Sequence, residues 1–445
     1  MSTPTTELRR VLGTAGLTAL GIGGTIGTGI FVMAGAAAKE VAGPAIVVSF
    51  VVAALACGCA ALCYARLAAQ FPEAGSAYAY GRALTPPAVA FLIGWNLILQ
   101  YVLAAASIGQ GWSHYFQDAL AALLGHPATI PIWLRGAGGG HLDLPAALAT
   151  LVITALLLRG ITPSLRVNHA IVGIKLGLIA LILGVGVFYV RPENWRPLAP
   201  FGWGGLQLPF LSSGGPPRGM LAGAAIVFYA FLGFEALTNY SEESKTPRRD
   251  VPRGILISLA ICTLLYIAMA VVLTGMVRYD QLSKDAPISE AFGQVGLPWI
   301  RTIVAVGALM GITSVLLVIL LSLPRVLMAI GRDGILSAGF WGQLAPNGVP
   351  ANATRTGGLI IALLAAFIPL DALGVVAVMA NMVTFLVVAA LVTRCDGLRP
   401  APLVTIVLCT VLLLSLPWFG WIALVLWWLI GAGIYRARRR IKPRG

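Results

Sequence analysis

Lys175 and Glu235 are, respectively, the one base and the one acid lying well inside otherwise charge-free apolar stretches of this 445-residue chain. Charges placed in hydrocarbon are costly, and where they occur they serve ion pathways, proton relays or counter-ion pairs. If 163–190 is one helix, Lys175 sits about 18 Å along its axis, too deep to snorkel to an interface. It reads as a group able to exchange a proton. The alternative is a structural ammonium held by carbonyls of a neighbouring broken helix. Glu235 has its own plain alternative, a carboxylate that accepts hydrogen bonds from freed backbone.

The backbone that such groups would serve is marked by glycine. Leu20-Gly21-Ile22-Gly23-Gly24-Thr25-Ile26-Gly27-Thr28-Gly29-Ile30-Phe31 holds five glycines between 21 and 29, a poor helix even in lipid. Gly23 and Gly27 would also suit a close helix-packing face. A dinucleotide loop does not fit, because the third glycine falls one position late and no strand precedes it. Irregular backbone at membrane depth is tolerated only where it is buried in protein or lines a cavity, so the segment reads as a helix broken at a site. A second candidate break is Phe228-Tyr229-Ala230-Phe231-Leu232-Gly233-Phe234-Glu235. Interrupted helices at matching positions of two halves point to a transporter site at the bilayer midplane. Freed N–H groups there suit a carboxylate, and freed carbonyls suit an ammonium.

The elements that carry these residues follow from composition. Charged residues make up 10% of the chain and hydrophobic ones 58%, against about 25% charged in ordinary soluble domains. That excludes a water-soluble enzyme and a disordered chain. Charge-free stretches fall at 11–38, 41–65, 83–117, 144–158, 219–234, 254–277, 302–324, 356–370, 372–393 and 400–435, with 167–190 interrupted only by Lys175. The last long stretch divides at Pro417-Trp418-Phe419-Gly420, which gives twelve spans of the length a bilayer requires. With the N-terminus cytoplasmic, 21 of the 30 Lys and Arg fall on the cytoplasmic side, as the positive-inside rule expects. The net charge of +14 is therefore topology and not a nucleic-acid surface.

Nothing else in the chain suggests reaction chemistry. The six cysteines read as small buried hydrophobes, without disulfide or metal-ligand company. His126 and His141 fall in a Gly-rich loop, and His114 and His169 near span ends. No catalytic set, metal site or cofactor motif is expected, and Met1–Arg10 does not read as a cleavable signal peptide.

At these residues the chain resembles amino acid permeases of the amino acid–polyamine–organocation superfamily, particularly the cationic amino acid transporter branch and its bacterial relatives. The resemblance rests on Gly21-Ile22-Gly23 through Phe31, on Phe71-Pro72-Glu73-Ala74-Gly75-Ser76-Ala77-Tyr78, and on Phe231-Leu232-Gly233-Phe234-Glu235 through Glu242-Glu243. It rests further on Gly311-Ile312-Thr313-Ser314-Val315-Leu316-Leu317 with Pro324-Arg325 and Gly331-Arg332-Asp333-Gly334. It implies an all-α polytopic fold, with a five-plus-five inverted repeat, discontinuous spans one and six, and two added C-terminal spans. The expected divisions are a cytoplasmic tail at 1–10, repeats at 11–190 and 191–395, spans eleven and twelve at 396–435, and a basic cytoplasmic tail at 436–445.

The resemblance also implies roles. Backbone N–H groups around Ile26, Gly27, Thr28 and Gly29 would hold a substrate carboxylate. Carbonyls near Thr25, Tyr229 and Leu232, beside Phe231, would hold the amino group. Tyr229 matches an aromatic that closes over the substrate. Lys175 matches a lysine that takes the place of a sodium ion in proton-coupled members, and Glu235 is a second candidate for proton coupling. Asn96 and Gln100 depart from the cationic branch, which usually has acids there, and a buried cationic side chain beside two amides lacks a counter-charge. The reading is therefore proton-coupled uptake by alternating access, with neutral or broad amino acid substrates favoured over arginine and lysine. The partners expected are the amino acid, a proton and the cell-membrane bilayer, with no nucleic acid. The other readings are a cationic transporter, an amino acid/polyamine exchanger and a membrane amino acid sensor. The sequence says nothing of oligomeric state.

Overall fold

The computed structural model describes residues 10–73, 75–124, 130–134, 136, 142–160, 165–205 and 217–441. His126, His141, residues 1–9 and residues 442–445 lie outside them, and the expectations for those residues with them. The described chain is helical, and helices occupy each stretch expected to cross the membrane. In order they are α1 (Thr14–Thr25), α2 (Ile46–Gln70), α3 (Pro87–Leu124), α4 (Leu144–Leu158), α5 (Leu165–Gly186) and α6 (Met220–Val227). There follow α7 (Pro247–Met276), α8 (Pro298–Arg332), α9 (Ala351–Phe367), α10 (Leu370–Asp396), α11 (Pro400–Leu414) and α12 (Trp418–Ile441). Among the described residues, eight helices are long and apolar enough to cross a membrane, and α4, α9 and α11 are shorter apolar helices.

Helices five places apart in the order lie against one another: α2 on α7, α3 on α8 and α4 on α9. Small residues let some of them approach. Gly358 of α9 faces the Thr154 side chain, and Gly94 of α3 faces Ile330. In a bilayer, close packing and interhelical hydrogen bonds hold helices together, because lipid is as apolar as leucine. Leu148, Leu151 and Val152 of α4, Leu359 and Leu363 of α9, and Leu426 and Leu429 of α12 are exposed, as lipid-facing residues should be.

Several helices run past the charge-free stretches and carry buried and half-buried ions with them. Asp118 of α3 pairs with Arg301 of α8 at 2.6 Å, and Arg325 of α8 with Glu243 at 2.8 Å. The Arg325 guanidinium also lies 4.6 Å from the centre of the Tyr240 ring. Two sequence motifs about 250 residues apart meet at the same end of the bundle. The Asp333 carboxylate accepts from the Tyr78 hydroxyl and, at 2.9 Å, from Arg82, which also pairs with Glu73. Nearby, the N–H groups of Val11 and Leu12 donate to the Glu243 carbonyl, and that of Lys245 to the Leu12 carbonyl. These bonds strap the start of the described chain across that end.

Candidate functional site

The α1 helix stops where its glycines cluster. The Ile26 N–H makes the last helical bond, to the Ile22 carbonyl, and Ile26 then turns extended with φ −75° and ψ 102°. A π-helical turn resumes at Gly29–Met33. Between the two, the chain is bent at Ile26 and Gly27, and Thr28 is already helical; all three are buried. Glycine is needed at Gly27 and Gly29 for close approach. A Cβ on Gly27 would lie 2.6 Å from the Val315 side chain, and one on Gly29 within 2.3 Å of the Ala230 backbone.

The second break lies directly opposite. After α6, a 3₁₀ turn at Phe228–Phe231 ends in extended Leu232, and Gly233 takes φ 119°, a conformation that side chains rarely adopt. A further 3₁₀ helix follows at Glu235–Glu243. A Cβ on Gly233 would lie 2.4 Å from the Gly24 carbonyl oxygen. The two interruptions therefore face each other across bare backbone.

Carbonyls freed by the first break are taken by side chains of surrounding helices. The Lys175 ammonium, buried, donates to the Gly23 carbonyl at 2.8 Å and the Ile26 carbonyl at 2.6 Å. Ser314 donates to the Gly23 carbonyl at 3.2 Å, and the Tyr266 hydroxyl to the Thr25 carbonyl at 2.9 Å. Past the break, the Tyr115 hydroxyl donates to the Phe31 carbonyl at 2.8 Å. The N–H groups of Gly27, Thr28 and Gly29 fall between the last bond of α1 and the first bond of the next turn, Ile30 N–H to the Gly27 carbonyl. The hydroxyls of Thr25 and Thr28 are buried without a partner. This leaves an N–H-rich, hydroxyl-bearing segment at a helix start, the arrangement that binds carboxylates.

Tyr229 reaches across to α3, its hydroxyl 2.5 Å from the Ser107 hydroxyl. Its carbonyl accepts the Leu232 N–H, and Phe231 packs edge-on against Tyr266. Asn96 and Gln100 lie elsewhere, in a polar chain that ends at Glu235. The Trp428 indole donates to Asn96, whose amide donates to the Ala380 carbonyl at 2.7 Å and to Thr384 at 3.0 Å. Thr384 lies 3.1 Å from the Gln100 oxygen, and the Gln100 amide donates to Glu235 at 2.8 Å. The other Glu235 oxygen accepts the Gly233 N–H at 3.0 Å. Each Glu235 oxygen thus accepts one of these donors, and the carboxylate is built into the second break.

The structure brings together Thr25, Ile26, Gly27, Thr28, Gly29 and Lys175 at one break, and Tyr229, Phe231, Leu232 and Glu235 at the other. Asn96 is turned toward α10 and α12 instead. Sequence reasoning passed over Ser107, Tyr266 and Thr384, single hydroxyls on apolar helices whose pairing is invisible before the helices pack. Ser314 lay within a recognised motif, but nothing in the motif assigned it a partner.

At the end of the bundle away from the chain's start, a cavity of about 200 Å³ is lined by Glu40, Gln110, His114, Asp143, Lys284 and Asp371, among others. The Asp143 side chain caps α4 by accepting the Ala146 N–H at 3.0 Å. Burial pushes its carboxyl up to about 6 against that bond and a hydrogen bond from Ser113. The Lys284 ammonium pairs with Glu40, and that bond makes the lysine hold its proton more tightly than usual. Gln110, one of its lining residues, lies three residues beyond Ser107 on α3, about one helical turn from the Tyr229 contact.

Comparison with known proteins completes the picture. A family model described as amino acid permease matches residues 12–430. The chain is 39% identical to the methylthioribose transporter of Bacillus subtilis, over 96% of this chain and 93% of that one. It is 37% identical to the branched-chain amino acid permease BcaP of the same organism, with the same coverage. It is 38% identical to human cationic amino acid transporter 4 over 84% of this chain, which is 57% of the longer human protein. Two helices broken face to face, with a match running through both breaks and into α12, place this multi-pass membrane protein in the amino acid permease family of the amino acid–polyamine–organocation superfamily.

Proposed function

We propose that this amino acid permease is a proton-coupled secondary transporter that works by alternating access. The observation that carries the reading is the Lys175 ammonium on the Gly23 and Ile26 carbonyls. It ties α5 to the broken backbone that would hold the substrate carboxylate. Charge-assisted hydrogen bonds are about twice as strong as neutral ones, so loss of the proton would loosen that tie and bias the break toward a second arrangement. A fixed ammonium there also disfavours sodium. The pairing of α2 with α7, α3 with α8 and α4 with α9 supports an inverted repeat at 11–190 and 191–395, with spans one and six meeting at its centre. The twelve helices would all cross a cell membrane, with both termini cytoplasmic and the Asp143 cavity outside.

Neutral substrates are favoured because both Glu235 oxygens already accept protein donors, and the side chain that reaches that carboxylate from α3, Gln100, is an uncharged amide. Relatives named for branched-chain amino acids and for methylthioribose agree with that preference. Relatives named for cationic amino acids support the second reading, transport of arginine or lysine. Uptake by purified protein in liposomes tests both. A pH gradient, acid outside, should drive alanine accumulation, and excess alanine should compete better than excess arginine. A sodium gradient driving the same uptake without a pH gradient would overturn proton coupling.

A further inference from the structure

Asn381 is the one amide on α10, and it is fully buried with neither its nitrogen nor its oxygen bonded to any group of the protein. The neighbouring amides are engaged. Asn96, Gln100 and Gln110 all reach carbonyls, hydroxyls or a carboxylate. An amide carries two donors and an acceptor, and leaving them dry inside apolar surroundings is unfavourable. Such a group points to a ligand.

The position of Asn381 shows which ligand. Gly374, seven residues earlier, lies under the Tyr229 ring and Met33. Phe385, four residues later, packs on Phe228 and Phe234, and Thr384 reaches Gln100. Residues at these spacings share one face of a helix. Asn381 is therefore aimed at the Phe228–Phe231 turn and at the part of α3 between Gln100 and Ser107. The side chains placed around it are Phe228, Tyr229 and Ser107, and the nearby Glu235 carboxylate is already taken by Gln100 and Gly233, so the open amide has no free charge beside it with which to hold a charged side chain.

We propose that Asn381 is a specificity-determining contact, hydrogen-bonding a polar but uncharged group on the side chain of the transported amino acid. The proposal rests on amino acid transport by the paired breaks and adds the class of side chain preferred: hydroxyl or carboxamide over purely aliphatic. A site built to hydrogen-bond a substrate group rejects the analogue that lacks it far more strongly than an apolar slot rejects an added hydroxyl.

Threonine and valine have the same shape and differ by that hydroxyl, so they form the test pair. Purified protein in liposomes should take up threonine with at least ten-fold higher kcat/KM than valine. Asn381→Leu should bring the ratio to about one or invert it, with the change carried by KM. Its melting temperature without substrate should not fall, because the amide removed was unbonded. Asn381→Ala provides the same comparison where leucine does not fit. The proposal is overturned if wild-type protein does not discriminate between the pair, or if the variants keep the wild-type ratio. A variant that melts lower with selectivity unchanged also overturns it, since the amide would then be structural. Wild-type protein that takes up neither threonine, valine nor alanine would overturn the transport reading itself, a result distinct from the other three.

Discussion

A Cβ placed on Gly29 would lie 2.3 Å from the Cα of Ala230, so the two broken segments touch through backbone alone. Gly24 and Gly233 repeat the relationship one step deeper, where a Cβ on Gly233 would meet the Gly24 carbonyl oxygen. Backbone atoms cannot rotate out of the way as a side chain can. Any methyl here forces the segments apart.

Gly29→Ala should therefore reduce transport by more than ten-fold and lower the melting temperature. Gly58→Ala is the matched control, since a Cβ there meets nothing within 4 Å. It lies within α2 and should be neutral or gain up to about 1 kcal/mol from helix propensity. Equal behaviour of the two variants in uptake and thermal melting would contradict the close contact.

Lys175→Gln and Lys175→Ala should lose pH-gradient-driven accumulation. They leave the Gly23 and Ile26 carbonyls without their charged donor, at a cost on the order of 2–4 kcal/mol. Substrate exchange at equal pH on both sides should be less affected than concentrative uptake. Full accumulation by either variant under a pH gradient would sink the coupling role of this residue.

The Tyr229 hydroxyl and Ser107 form a latch that can be weighed by a double-mutant cycle. Tyr229→Phe and Ser107→Ala should each raise KM several-fold while the aromatic ring keeps its place beside Gly374. Together they should do little more than either alone, a coupling of about 1 kcal/mol. Strict additivity in binding would mean that the two hydroxyls act separately.

Asp143 predicts a pH effect with a definite sign. Its folded carboxyl titrates near 6, above its ordinary value of 3.8, so the folded state holds the proton more tightly. Its contribution to stability is whole below about 4 and is lost as pH rises through 6, an effect of roughly 2–3 kcal/mol. Asp143→Asn should flatten the melting temperature between pH 4 and 7 and match or exceed wild type at pH 7. The same slope in both proteins would remove Asp143 as the cause.

How much of this was legible in the chain differs by residue. The breaks at 21–29 and 228–235 were readable because glycine and apolar run length act locally. The depth of Lys175 was readable from counting, and its carbonyl partners were left as an alternative that the structure realises. The Asn96 environment was not legible. Its neighbours are Ala380, Thr384 and Trp428, about 280 to 330 residues away, and nothing near 96 in sequence names them. Charge-free stretches end beside Asp118 and Arg301, whereas the helices continue past them and pair the two.

The sequence by itself determined that the chain lies in a membrane, where its helices run and where two of them must fail. Run length, charge placement and glycine content are local properties, and the bilayer filters them directly. Tertiary structure alone decided which polar atoms are satisfied: that Glu235 is closed by Gln100 and Gly233, and that Asn381 is left open. In water, an apolar stripe tells a helix which side faces its neighbours. In lipid both sides of a helix can be apolar, so the facing partner is set by close packing and not by pattern.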